Sequence, residues 1–219
     1  MFRWFALAAF VGCLGISAFY RIRARREGET IARRRESASL IAGRAGIGIP
    51  LFIGILLYLL NPRLMAWAEI PLPIGVRWAG VVAGLLAVPA AFWVFKSIGR
   101  NVSETVLTKS DHALVTAGPY RWIRHPLYTT GGSLLLAIGL MAANWFMLLF
   151  TLFVLVSLRW IVIPLEEQEL MKKFGEEYRT YMGRTGRLLP RVFATIVGRV
   201  YIRVCPSSFS SLRSFPSWR

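Results

Sequence analysis

Five stretches of this sequence come close to the roughly 20 mostly apolar residues that a helix needs to cross the hydrocarbon core of a bilayer. They run from Phe2 to Tyr20, Gly46 to Leu60, Val76 to Ile98, Pro126 to Asn144 and Trp145 to Leu165. A chain built this way reads as all-α and polytopic, with five transmembrane helices. Hydrophobic residues make up 55% of it against 17% charged, which is not the balance of an ordinary soluble domain. Pro89 falls inside the third stretch and predicts a kink there. The fourth and fifth stretches follow one another at once, so only a tight turn can join them into a transmembrane hairpin.

The basic residues set the expected orientation, because short loops rich in Arg and Lys stay on the cytoplasmic side. Eight Arg lie between Arg21 and Arg44, five basic residues between Lys96 and Arg124, and ten after Leu165, whereas Arg63 and Arg77 alone separate the second and third stretches. The N-terminus is therefore expected outside, and the site segments and C-terminus in the cytoplasm. A cleaved signal peptide would carry its positive charge before the apolar run, but Arg21, Arg23, Arg25 and Arg26 come after it, so a retained first helix is expected. The formal charge of +16 would by itself suit nucleic acid or an anionic membrane surface. The apolar runs decide for the bilayer, and no nucleic-acid partner is expected. Cys13 and Cys205 give neither a disulfide framework nor a metal-ligand spacing, and no metal site is expected. No phosphate-binding loop or H-E-x-x-H motif is present, and the cluster Gly43, Gly46, Gly48 opens an apolar run rather than following a strand. Gly80 and Gly84 form a G-x-x-x-G whose reading is close helix packing.

Past Leu165 the pattern changes. Leu170, Phe174, Tyr178 and Tyr181 recur at helical spacing among charged residues, which predicts an amphipathic helix leaving the membrane from the fifth span, with Pro164 as the bend. Residues 1–190 are read as one membrane-embedded domain. Residues 191–219 are read as a basic, poorly ordered tail resting on anionic lipid.

Polar groups gather in two segments, His112 to Tyr128 and Arg159 to Glu169, which flank the hairpin and should meet at its foot to form a pocket facing the cytoplasm. Proline suits the first position of a helix and pushes the residue before it out of helical geometry, so Pro126 should start the fourth span with His125 as its cap. The first N–H groups of that helix, with Arg121 and Arg124 nearby, would favour a carboxylate or phosphate. Read as structure alone, the same segment is an interface start with basic anchors. Arg159 precedes Glu166 by seven residues and shares a helix face with it unless Pro164 rotates them. Arg159 either faces a partner or snorkels to the headgroups. Glu167 reads as part of the solvated start of the amphipathic helix.

The runs His112-Ala113-Leu114-Val115-Thr116-Ala117-Gly118-Pro119-Tyr120, Arg124-His125-Pro126-Leu127-Tyr128, Glu166-Glu167 and Phe174-Gly175-Glu176-Glu177-Tyr178 together resemble the isoprenylcysteine carboxyl methyltransferase family, which is related to membrane phospholipid N-methyltransferases. The resemblance is strongest over residues 76–190. It implies an all-helical membrane enzyme that uses S-adenosylmethionine, with a pocket closed by the segment after the last span. By position it implies that His112, Ala113, Leu114, Val115 and Tyr120 contact the cofactor, as would His125, Pro126, Leu127 and Tyr128. Glu166 matches a family glutamate that also binds it. The arginine that the family places four residues before this glutamate corresponds to Val162, with Arg159 one turn earlier as its substitute, and a family glutamine corresponds to Thr105.

The expected function is therefore methyl transfer to a lipophilic or lipidated acceptor, a carboxylate of the isoprenylcysteine type, with Arg159 and Glu166 as catalytic residues. An amine nucleophile must first shed a proton, for which Glu166 and His125 are the local candidates. Methylation of a phospholipid amine is the first alternative. A nicotinamide-dependent lipid reductase and a non-catalytic scaffold that binds anionic lipid are the others.

Overall fold

The computed structural model describes residues 1–27, 38–99 and 114–191. His112, Ala113, Thr105, Cys205 and the tail from 192 onward, all of which figure in the sequence reading, lie outside the described residues. Within them, every regular element is a helix: α1 (Phe2–Glu27), α2 (Ala38–Leu60), α3 (Ile74–Ile98), α4 (Pro126–Ala142), α5 (Trp145–Ser157), α6 (Ile163–Phe174) and α7 (Glu176–Arg184). Short 3-10 turns cover Pro62–Ala68 and Gly118–Arg121, and a π turn, Leu158–Val162, joins α5 to α6. Three helices are long and apolar enough to cross a membrane, Phe2–Ala24, Ile74–Ile98 and Trp145–Phe174. The second and fourth apolar stretches form shorter helices, Ala45–Leu60 and Pro126–Ala142.

The apolar faces of α1 to α5 meet in a core built around Ala6, Ile55, Val81, Ile138, Met141 and Met147. α3 packs closely along α4, and Gly80 explains how. A Cβ at Gly80 would stand 3.0 Å from the Ala137 carbonyl oxygen and 3.0 Å from Leu140 Cβ, and at Gly84 it would meet Met141 Cε at 3.1 Å. The G-x-x-x-G therefore lets two backbones touch. α3 runs on through Pro89 as one helix.

One end of the bundle gathers the starts of α1, α3 and α5 with the ends of α2 and α4. Arg77 donates two bonds to the Met141 carbonyl at 2.9 and 3.1 Å, which satisfies one of the last acceptors of α4. Between α4 and α5 only Ala143 and Asn144 intervene. Ala143 is left-handed at φ 50, and Asn144 caps α5 by accepting from the Met147 N–H at 3.1 Å while donating to the Met65 carbonyl at 3.1 Å. This is the tight hairpin turn the sequence demands, and it returns both feet of the hairpin to the opposite end.

The fifth span is not interrupted at Pro164: it passes through the π turn, in which the Ile163 N–H bonds to the Leu158 carbonyl five residues back, into α6. The ring of Pro164 would press on the carbonyl four residues before it, and the wider turn gives it room. The amphipathic stretch is not one helix either. It breaks at Gly175, whose φ of 52 ends α6 and whose carbonyl accepts from the Arg179 N–H to begin α7.

Candidate functional site

α4 begins at Pro126 with His125 outside helical geometry, φ −121 and ψ 58, as the proline requires. His125 is buried and stacks on Tyr128, ring centroids 5.7 Å apart. α6 brings two consecutive carboxylates to the same imidazole: Glu166 Oε2 lies 3.6 Å from Nδ1 and Glu167 Oε1 3.5 Å from Nε2. The two segments flanking the hairpin do meet at its foot.

Successive helical residues point about 100° apart, so these two glutamates have different neighbours. Glu167 is buried rather than solvated, contrary to the sequence reading. Its Oε1 accepts from Arg124 Nε at 2.9 Å, and its Oε2 accepts from Arg187 at 2.8 and 2.6 Å. Two guanidinium groups on one carboxylate recover the cost of taking it out of water. The signal was available in the sequence: Glu167 stands four residues after Ile163 and four before Met171, on the face that Ile163 buries. Glu166 keeps more than a quarter of its side chain accessible.

Arg124 reaches further. Its Nη1 donates to the Met182 carbonyl at 3.1 Å and to the Thr185 carbonyl, so this residue fastens the chain after α7 rather than adding loose charge to a helix start. That chain runs beside the loop before α4 like a single parallel rung. The Gly186 N–H donates to the Trp122 carbonyl at 3.0 Å, the Arg124 N–H to Gly186 at 2.8 Å and the His125 N–H to Arg187 at 3.0 Å. Thr129 Oγ1 donates to the Leu188 carbonyl at 2.7 Å. Tyr181 donates to the Tyr120 carbonyl at 2.6 Å. Burial pushes the Tyr181 phenol up to about 12, although the Arg124 charge pulls it back. Burial and then the Glu166 charge push the Tyr120 phenol up, and Tyr178 is raised by burial and then by Glu167.

The other sequence-selected residues fall as follows. Tyr120 and Pro126 are buried, and Leu114, Val115 and Tyr128 are half-buried. Leu127 packs on the small cluster of Ala24 and Phe95. Arg159 lies in the π turn with its guanidinium 4.9 Å over the Trp160 ring. Because that turn holds more residues than an α turn, seven residues no longer make two turns, and Arg159 is rotated off the face of Glu166. Val162 is buried. Tyr178, Thr185 and Arg187 were not selected by sequence reasoning, yet they complete the site's enclosure. Among the described residues, the Tyr178 hydroxyl is one of the few buried polar atoms without a hydrogen-bond partner, which is uncommon, while His125 Nε2 faces Glu167.

Comparison with known proteins shows what the chain is similar to. Residues 76–177 match the phospholipid methyltransferase family. The chain is 38% identical over 96 residues to the protein-S-isoprenylcysteine O-methyltransferase of Saccharomyces cerevisiae, which is 42% of this chain and 39% of that protein. It is 34% identical over 86 residues to the uncharacterized protein YpbQ of Bacillus subtilis, 37% of this chain and 51% of that one. The match thus spans about half the length or less of these curated relatives. A solved structure of a eukaryotic intramembrane Ras methyltransferase, isoprenylcysteine carboxyl methyltransferase, shares the fold with a TM-score of 0.52 at 20% identity, covering 85% of this chain and 67% of that one. Over part of its length the chain is thus similar in sequence to phospholipid and isoprenylcysteine methyltransferases, and it shares its fold with the latter.

Proposed function

We propose that this protein is an integral membrane methyltransferase that uses S-adenosylmethionine to methylate a lipophilic acceptor, a carboxylate of the isoprenylcysteine type, at a pocket facing the cytoplasm. The observation that carries this reading is the His125 imidazole standing 3.6 Å from Glu166 and 3.5 Å from Glu167 at the foot of the hairpin. Glu167 is held by Arg124 and Arg187, whereas Glu166 keeps more than a quarter of its side chain accessible, which suits it to a cationic ligand.

The residues fit such a cofactor. The molecule carries an amine, a carboxylate, a sulfonium and an aromatic base. Glu166 offers the anion for its positive groups, the buried Tyr178 hydroxyl offers a polar atom awaiting a partner, the His125 imidazole stands beside both carboxylates, and Tyr120 and Tyr128 offer ring faces. Leu114 and Val115 would supply apolar walls, with His112 and Ala113 before them and Pro126 and Leu127 at the helix start. When bound, the cofactor supplies a methyl group activated by the sulfonium.

A carboxylate acceptor needs no base, so the chain's task is to align the reactants and keep water out. Holding reacting atoms in line is worth roughly 7 to 11 kcal/mol. Arg159 supplies a cation for the acceptor's carboxylate, and its place beside exposed Trp160 suits an acceptor whose tail stays among lipid chains. The match to the phospholipid methyltransferase family supports a second reading, a headgroup amine as acceptor, for which Glu166 or His125 would take the proton.

Calorimetric titration of purified protein with S-adenosylhomocysteine tests the pocket. Wild type should bind, and His125→Ala and Glu166→Ala should bind at least about tenfold more weakly, since a hydrogen bond to a charged group contributes about 1.5 to 3 kcal/mol. Equal binding by all three would refute the site. Radiolabelled methyl product that is lost in base identifies a carboxylate acceptor, and base-stable label identifies an amine.

A further inference from the structure

Seven tryptophans lie within the described residues, and each exposes between 40% and 69% of its surface. They are not scattered. Trp4, Trp67, Trp78 and Trp145 stand at the bundle end that gathers the starts of α1, α3 and α5, and Trp67 and Trp145 meet with ring centroids 5.7 Å apart. Trp93, Trp122 and Trp160 stand at the site end, and Trp93 and Trp122 meet at 5.8 Å. Amphipathic rings collect at the two membrane–water interfaces because one edge is apolar and the other donates a hydrogen bond.

The spacing repeats. Trp78 and Trp93 are 15 residues apart on α3, Trp145 and Trp160 are 15 apart on the fifth span, and Trp4 precedes exposed Phe19 by 15 on α1. At 1.5 Å per residue this separates the two ends by about 22 Å. Charge brackets the same interval. α3 carries no charged residue between Arg77 and Lys96, which allows at most about 27 Å, and α5 carries none before Arg159. The two shorter apolar helices, Ala45–Leu60 and Pro126–Ala142, are each about 24 to 26 Å long. Exposed Val82, Leu86, Leu152 and Phe153 fill the space between the rings, where lipid chains would cover them.

We propose that this surface is built for a thin bilayer, with a hydrocarbon core of about 22 to 27 Å rather than the usual ~30 Å, fixed by the paired tryptophan belts. Tilt of the helices would thin it further. Arg159 then sits at the belt beside Trp160, and Trp122 places the loop leading to His125 at headgroup depth.

The test is reconstitution of the full chain into phosphatidylcholine vesicles with monounsaturated chains of 14, 16, 18, 20 and 22 carbons, followed by thermal unfolding. The melting temperature should peak at 14 or 16 carbons and fall by about 5 °C at 22, because mismatch costs a fraction of a kcal/mol per ångström. A peak at 18 carbons or beyond, or a flat response, would overturn the proposal. Tryptophan fluorescence gives an independent reading in the vesicles of best stability: lipids brominated near the carbonyl should quench more than lipids brominated near the chain end, and the reverse order would also overturn it. Neither readout needs activity, so the outcome is separate from that of the methyltransferase reading.

Discussion

Arg124 and Glu167 meet at 2.9 Å between the loop before α4 and the face of α6, with both side chains almost wholly out of solvent. Removing the carboxylate would leave Arg124 buried and uncompensated, which costs about 3 to 5 kcal/mol. Glu167→Gln should therefore lower the melting temperature in detergent markedly. Arg187→Met, which alters the partner about a third exposed, should cost about 1 kcal/mol or less. Equal melting temperatures for Glu167→Gln and wild type would contradict this account of the ion pairs.

The neighbouring carboxylate should behave in the opposite way. Glu166→Gln removes a charge that lies 3.6 Å from His125 and is still reached by solvent. Its melting temperature should stay near that of wild type while S-adenosylhomocysteine affinity falls about tenfold or more. The pair of variants thus separates enclosure from recognition, and a Glu166→Gln protein that melts early but binds normally would reverse the assignment.

Alkaline pH should loosen α7. The Tyr181 phenol is pushed above its ordinary value of 10 to about 12, so the folded state holds that proton more tightly than the unfolded chain. Its contribution is complete below pH 10 and is lost as pH rises toward 12, when the donor to the Tyr120 carbonyl disappears. Melting temperature measured from pH 9 to 12 should fall, and Tyr181→Phe should start about 1 kcal/mol less stable and fall less steeply. Identical slopes for the two proteins would assign the alkaline loss to other groups.

Packing of α3 on α4 can be tested at a single atom. Gly80→Ala places a Cβ 3.0 Å from the Ala137 backbone carbonyl, so α3 and α4 must shift apart by a few tenths of an ångström, and should cost about 1 to 3 kcal/mol. Gly75→Ala, in the same helix with nothing within 4 Å, should be neutral or slightly stabilising. Matching melting temperatures for the two variants would refute the close approach.

The helices and the hairpin were legible because apolar runs, Pro126 and Asn144 act locally: each constrains the backbone within a few residues. The meeting of His125 with Glu166 followed from the hairpin alone. Glu167, Arg187 and Thr185 were missed for a different reason. Their roles depend on the chain turning at Gly175 and running back beside Trp122, a long-range pairing with no periodic signature. The placement of Arg159 was missed because a π turn shifts the helical count by one, and residue spacing in a sequence reads as α-helix by default.

The rung formed by Thr185 to Leu188 beside Trp122 to His125 ties the order of synthesis to competence. A nascent chain inserts its apolar helices one after another, yet the residues that brace the His125 loop leave the ribosome only after the last helix is made. A product released at residue 184 would hold every helix of the bundle yet lack the segment that braces this loop, so the loop gains its support only when translation reaches Leu188.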